Sequence, residues 1–348
     1  DKRGSHRKSR AIPLFFIIIF LALAGFGAWQ YLRINDMEKR TTNLMKEIDE
    51  QRLQLENARF AGQEVLLSTL LEKVREEIAS ESEVLLSDSM ISELQAFSNS
   101  LQPYRIKADT ALREVSPERG QLLLNLLSLN LDSISMGKIL KRVSFAKAYL
   151  VKANLEGMKL DFIDLRGADL TDANLKAAQL DGANLQYACL WGAELGGSRI
   201  RQAELSNVDF RWANMQESDF SFSQLGGSDL SQARAEDANW LGAKLMVANL
   251  QGTQLQGSNL QDADFFFAKL QRANLSGVTL SGARLSEANM DQATISGAIL
   301  DSSIVREGWL ERLSSWEMTG GKSIVKDYQL VAKKSNKYSI ETHRLKKN

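Results

Sequence analysis

From Phe145 to Val305 every fifth residue is apolar, and the period never slips. Of the 33 positions divisible by five in this stretch, 22 are Leu and the rest are Phe, Ile, Met, Val, Trp and one Ala. Two residues earlier lies a second small or apolar position, Ala in 21 of the 33 cases, as in Ala168-Asp169-Leu170, Ala173-Asn174-Leu175, Ala183-Asn184-Leu185 and Ala273-Asn274-Leu275. A helix repeats its apolar face every ~3.6 residues and a strand every 2. Neither carries a strict five.

A chain that makes short extended sides of five residues, turning after each, does meet this period. Side chains alternate along extended backbone, so the central residue and the one two before it point the same way. Both face inward, the small one near the corner, and the other three residues face solvent. Four sides close a coil of 20 residues, and about eight coils stacked ~4.8 Å apart make a rod roughly 40 Å long. The core of such a rod includes Leu165, Leu170, Leu175, Leu185, Phe210, Phe220, Trp240, Phe265 and Leu275. Of the 14 glycines in the repeat, 12 fall two residues after the central one, which places them at corners that call for positive φ. At ~1.5–3 kcal/mol per buried Leu or Phe, this core needs neither metal nor disulfide. Ala235 interrupts the large residues and is followed by the oversized Trp240. The expectation is that the indole takes up room left at Ala235.

These residues closely resemble the pentapeptide-repeat family, whose pattern is Ala-(Asp/Asn)-Leu followed by two polar positions. The resemblance covers about 160 of 348 residues and implies a right-handed quadrilateral β-helix. With the flanking segments, the expected fold is mainly β: that solenoid, preceded by a transmembrane helix and an α-helical region and capped by a C-terminal helix. Some family members resemble DNA in shape and charge and bind topoisomerase. Here 19 acids against 13 bases between Phe145 and Val305 give −6, dilute beside a duplex charge every ~1.7 Å. DNA mimicry is therefore the weaker alternative, and no nucleic-acid partner is expected.

Composition changes on both sides of the repeat. Residues 1–10 form a basic tail with Lys2, Arg3, Arg7, Lys8 and Arg10. Residues 11–32 are uncharged and apolar, with Trp29 and Tyr31 at the far end, as a single membrane span requires. Cleavage of a signal peptide after Ala22-Leu23-Ala24 is the rival reading. The excess of bases before the span places the C-terminal domain in the periplasm, with the chain in a bacterial inner membrane. Residues 33–140 read as a helical stalk and N-terminal cap. From Ile34 to about Ile78 the positions Ile34, Met37, Thr41, Leu44, Ile48, Leu55, Ala58 and Val65 follow a three-four spacing, with Gln51 the exception. Either this helix lies on its own domain, or residues 34–78 join copies as a coiled coil. Ser87-Asp88-Ser89 and Ser116-Pro117-Glu118 read as helix starts, and the leucines from Leu122 to Leu127 suit a lid on the first coil of the repeat, residues 141–305. Within 306–348, Trp309, Leu313 and Trp316 form a stripe suited to capping the last coil. A short strand around Tyr338-Ser339-Ile340 is expected before the end frays.

Residue types that carry catalysis are scarce. The only histidines, His6 and His343, lie outside the repeat, and the single Cys189 falls in an outward slot. Gly320-Gly321-Lys322-Ser323 imitates the end of a phosphate loop, but Trp316 stands where the earlier Gly should be. Acids such as Asp164, Asp169, Asp209 and Asp219 precede the central residue and suit bonding to local amides. No enzyme activity, cofactor or metal is expected, and an active site in residues 80–140 is the least favoured alternative. Met246 and Val247 stack against Phe266 and Phe267, 20 residues on, as an outward apolar patch. Such patches mark partner sites, unless the N-terminal helix or C-terminal tail covers this one. The chain reads as a non-enzymatic, membrane-anchored scaffold.

Overall fold

The period of five closes into a four-sided coil in the computed structural model, which describes residues 14–80, 85–105, 113–129, 131–332 and 342–348. Parallel bridges pair Asp164 with Asn184, Asn184 with Glu204 and Glu204 with Gln224, and continue in steps of 20 residues along the repeat. Five residues a side and 20 a coil make four sides. The Leu165 N–H donates to the Asn184 carbonyl at 2.8 Å, and the Asn184 N–H donates back to the Ile163 carbonyl at 2.9 Å. At the corner the Ala168 N–H turns back to the Leu165 carbonyl at 3.0 Å. All the central residues from Phe145 to Val305 are buried, and so are the small residues two before them, except Met158, which is half-buried.

The corner chemistry differs from the expectation in its cause. Twenty non-glycine residues of the repeat adopt positive φ, from Lys147 to Ser302. Left-handed backbone costs an L-residue about 1–2 kcal/mol, so the ladder on both sides holds these corners in place. Positive φ alone therefore does not call for Gly. Space does at several corners: a Cβ on Gly182 would lie 2.7 Å from the Phe162 ring, and one on Gly242 would lie 2.7 Å from the Phe222 ring. At those corners a side chain lies across the glycine one coil later.

Several hydroxyls in the small slot are paired with backbone, although the buried Ser198 hydroxyl has no partner. Ser228, Ser258 and Ser303 donate to the carbonyls of Leu205, Ala235 and Leu280, 23 residues earlier, at 2.6–2.7 Å. Trp240 is fully buried, and its indole stacks on Phe220, one coil earlier, at 4.4 Å between centroids and 5° between planes. Its Nε1 has no hydrogen-bond partner.

Two compact units divide the chain, Asp1–Val65 and Leu66–Asn348. The first is described from Leu14 as the opening part of helix α1 (Leu14–Ser80). The expected membrane span at 11–32 falls partly outside the described residues, and among those described no helix is long and apolar enough to cross a membrane. In the second unit the end of α1 buries Leu67, Leu70, Leu71 and Val74, an i, i+3, i+4, i+7 stripe. Helix α2 (Asp88–Ser100) starts at Ser87, whose side chain accepts from the Met90 N–H at 3.1 Å. A two-stranded hairpin follows, β1 (Tyr104–Arg105) with β2 (Glu114–Val115), then α3 (Pro117–Ser128) and α4 (Ser133–Arg142). The hairpin is absent from an all-helical reading of 33–140.

Ser116 caps both a helix and the solenoid. Its side chain accepts from the Arg119 N–H, its own N–H donates to Lys147, and its carbonyl accepts from Tyr149 at 3.1 Å. One residue thereby occupies the open edge of the first coil, where an uncovered edge would invite pairing with another chain. Buried Arg119 donates to the carbonyls of Ser98, Leu101 and Ala146 at 2.6–3.1 Å. Leu122, Leu123 and Leu126 complete the seal with no exposure.

At the far end β3 (Ile304–Arg306) and β4 (Tyr328–Ala332) flank β5 (Thr342–Lys347) in an antiparallel sheet, in order β3-β5-β4. Trp309 and Leu313 on α5 (Trp309–Ser315) are buried, and Trp316 packs against the core. The strand expected at 338–340 lies outside the described residues. The expected fraying does not occur at 342–347, because Leu345 is buried and exchanges backbone bonds with Ser302 and Ser303 at 2.8 and 3.0 Å. Gly320 leads into the seven-residue α6 (Gly321–Asp327) against Ser296 of the last coils, where no strand precedes the glycines as a phosphate loop would need.

Candidate interaction surface

What the solenoid can do is set by the three outward residues of each five. The residue before each central one is largely committed to structure. Asp169, Asn174 and Asp219 accept from backbone amides two residues on at 3.0–3.2 Å. Asparagines also bond between coils, Asn239 to Asp219 at 2.9 Å and Asn259 to Asn239 at 3.0 Å. These are amide-capping ladders and not paired acids poised for proton transfer.

Many of the remaining acids pair with arginine. Asp164 holds Arg166 at 2.8 Å, Asp181 holds Arg201 at 2.6 Å and Asp209 holds Arg211 at 2.8 Å. Burial pushes the carboxyls of Asp164, Asp181 and Asp209 up, but hydrogen bonds from these arginines and from backbone amides outweigh it and hold all three below their ordinary value. Among the described residues no cluster of His, Cys, Asp and Glu could hold a metal ion.

Cys189 departs from its expected outward exposure. It occupies the outward slot but is buried, with the Thr171 hydroxyl 3.3 Å from its sulfur. Arg113, just before β2, reaches Asp209 at 3.5 Å and Asp169 at 3.9 Å on either side of it. The covering arginine comes from outside the repeat, where the five-residue phase carries no information.

The apolar patch is assembled as the 20-residue spacing requires. Val247 donates its N–H to the Phe266 carbonyl at 2.9 Å, which sets the two coils side by side. Met246 is 39%, Val247 59% and Phe267 51% exposed. Phe266 is half-buried: its ring meets Phe267 edge-on at 4.5 Å, and the Arg284 guanidinium lies 4.0 Å above it. Arg284 is itself directed by Asp264 at 3.4 Å. The patch therefore pairs an apolar step with one oriented cation.

Other exposed aromatics escaped the sequence reading: Phe162, Tyr187, Trp191, Trp212 and Phe222. All but Trp191 occupy the positive-φ corner, where any large side chain must stand out from the coil. The signal was present in the phase, two residues after each multiple of five.

Residues 139–175, 148–186, 163–202, 193–232, 223–262 and 263–301 match the family model for pentapeptide repeats, which counts 8 copies. Solved structures similar to the chain include HetL, a pentapeptide-repeat protein involved in heterocyst differentiation regulation from the cyanobacterium Nostoc sp. strain PCC 7120. It is 25% identical over 48% of this chain and 84% of that one, with a TM-score of 0.31. A pentapeptide-repeat protein from the Arabidopsis thaliana thylakoid lumen is 27% identical over 29% and 75% of the two chains, with a TM-score of 0.25. The plasmid-mediated fluoroquinolone resistance protein QnrB1 is 21% identical over 42% and 83%, with a TM-score of 0.27. No curated protein matches the chain.

Proposed function

We propose that this chain, a pentapeptide-repeat protein through residues 139–301, is a non-enzymatic scaffold that binds a protein partner on the surface of its solenoid. The observation that carries the reading is the exposed step of Met246, Val247 and Phe267 beside Phe266. Apolar area held on a hydrogen-bonded ladder loses little conformational entropy on binding, which favours recognition. The basic tail and the uncharged run at 11–32 support attachment to a bacterial inner membrane, with the C-terminal domain in the periplasm. The three-four spacing in residues 34–78 supports association of copies through α1. Topoisomerase binding by DNA mimicry is the weaker reading, because Asp164, Asp181 and Asp209 are neutralised by adjacent arginines.

The test is affinity capture from detergent-solubilised membranes, with bound proteins identified by mass spectrometry. The full chain retains a partner that the Phe266→Ser/Phe267→Ser chain loses at unchanged melting temperature. Unchanged capture with a lowered melting temperature would assign the patch to internal packing. Sedimentation of the untreated chain with membranes after an alkaline wash checks the anchor. Release into the supernatant removes it.

A further inference from the structure

We propose that the stripe of α1 from residue 34 to residue 65 is the seam of a parallel, in-register, two-stranded coiled coil with a second copy of this chain. The proposal rests on the self-association part of the reading above and names its occupant, boundary and orientation. Met37, Leu44, Ile48 and Val65 are each more than half exposed, which is unusual for four large apolar residues in one phase of one helix. In heptad register Ile34, Thr41, Ile48, Leu55 and Gly62 fall at the first seam position and Met37, Leu44, Gln51, Ala58 and Val65 at the second. Three of the five first-position residues, Ile34, Thr41 and Ile48, are β-branched, a choice that favours two parallel strands, and Leu44 stands between Thr41 and Ile48 at the other position. The Thr41 hydroxyl donates to the Met37 carbonyl at 2.7 Å, so it enters a dry seam already paired.

The boundary at Val65 is drawn by the same helix. Continuing the register puts Thr69 and Glu72 in the seam, and both are exposed and polar. From Leu67 onward the buried residues Leu67, Leu70, Leu71 and Val74 occupy the outer positions of the heptad, the side opposite the seam. The helix thus changes faces where one compact unit gives way to the next. From 34 to 65 it offers more than four heptads, roughly 48 Å at 1.5 Å per residue, enough to sustain a supercoil.

Charge permits the parallel orientation, and the one long polar residue of the seam, Gln51, selects it. In a parallel pair the residue before the first seam position faces the residue after the second on the partner, one heptad on. That sets Arg33 against Glu38, and the sequence puts no like charges at facing positions along the seam. An antiparallel pair centred on this stretch sets Gln51 level with Ile48 of the partner and leaves the amide facing an apolar side chain in the seam. Gln51 meets its own copy only when the two strands are in register, so it acts as the polar register mark at some cost in stability.

The experiment uses the full chain in detergent micelles, carrying Cys189→Ser and one new cysteine at a time. Met37→Cys and Leu44→Cys, both in the seam, should each oxidise to a disulfide-linked homodimer. Lys46→Cys, on the outer face, should remain unlinked. Sedimentation of the parent chain should give the mass of two copies, and Leu44→Glu with Ile48→Glu should return it to one. A parent that sediments as one, three or four copies overturns the proposal, as does equal cross-linking at Lys46→Cys. The Leu44→Glu/Ile48→Glu chain should still capture the solenoid's partner, so failure of the dimer and failure of the solenoid reading give different results.

Discussion

A single methyl group separates two glycines that look alike in the sequence. Gly120 and Gly137 both lie within helices, where Ala is favoured over Gly by about 1 kcal/mol. A Cβ at Gly137 meets nothing within 4 Å, whereas one at Gly120 would lie 2.2 Å from the Tyr149 carbonyl oxygen. Gly137→Ala should therefore raise the melting temperature and Gly120→Ala should lower it, as thermal unfolding followed by circular dichroism can check. Trp240 allows a similar separation of effects. Trp240→Ala should cost ~3–5 kcal/mol as a cavity mutation. Trp240→Phe keeps the stack on Phe220 and removes the unpaired indole N–H, so its loss should stay under about 1.5 kcal/mol in denaturant titration. At this scale the sequence was legible wherever the phase decided the outcome: the inward residues from Phe145 to Val305 followed from counting alone. The Gly182 and Gly242 corners were located but their cause was not. Their requirement comes from Phe162 and Phe222, 20 residues earlier, and becomes visible only once the coil length is known.

Secondary elements divide by how local their signals are. Ser87 and Ser116 marked helix starts because an N-cap is a contact between neighbours in sequence. The β5 strand, Thr342-His343-Arg344-Leu345-Lys346-Lys347, has one apolar residue, and nothing local marks it as a strand. Its pairing is supplied from outside the segment, by β3 and β4 on its two sides and by Ser302 and Ser303 at the end of the repeat. Deleting residues 342–348 should therefore destabilise the last coils by at least about 2–3 kcal/mol through unmade backbone bonds, measured as earlier hydrogen exchange in residues 295–305. The face arginines make a separate prediction about pH. Asp164, Asp181 and Asp209 have folded values below their unfolded ones. Such carboxyls stabilise the fold only while ionised, so their contribution is complete above the unfolded value of about 3.9 and is lost as pH falls through the folded one. The melting temperature should drop below about pH 4, and Asp181→Asn should make the drop shallower.

For the molecule as a whole, a scaffold role depends on the separation of a closed core from an outward-facing surface. The period assigns each side chain of the repeat to one or the other, and the candidate partner surface consists of residues that the period sends outward. Function was less legible than fold for that reason: a repeat specifies its own core and leaves the exposed positions unconstrained. Met246 and Phe267 could be located from the sequence, but the Arg284 guanidinium over Phe266 could not. The most direct measurement is native-state thiol alkylation at two adjoining repeat positions in a Cys189→Ser chain. Val247→Cys should react at nearly the rate of a free thiol, while Leu245→Cys should react only as fast as the solenoid opens. Comparable rates at the two positions would contradict a core shut at every fifth residue, and the assigned surface would go with it.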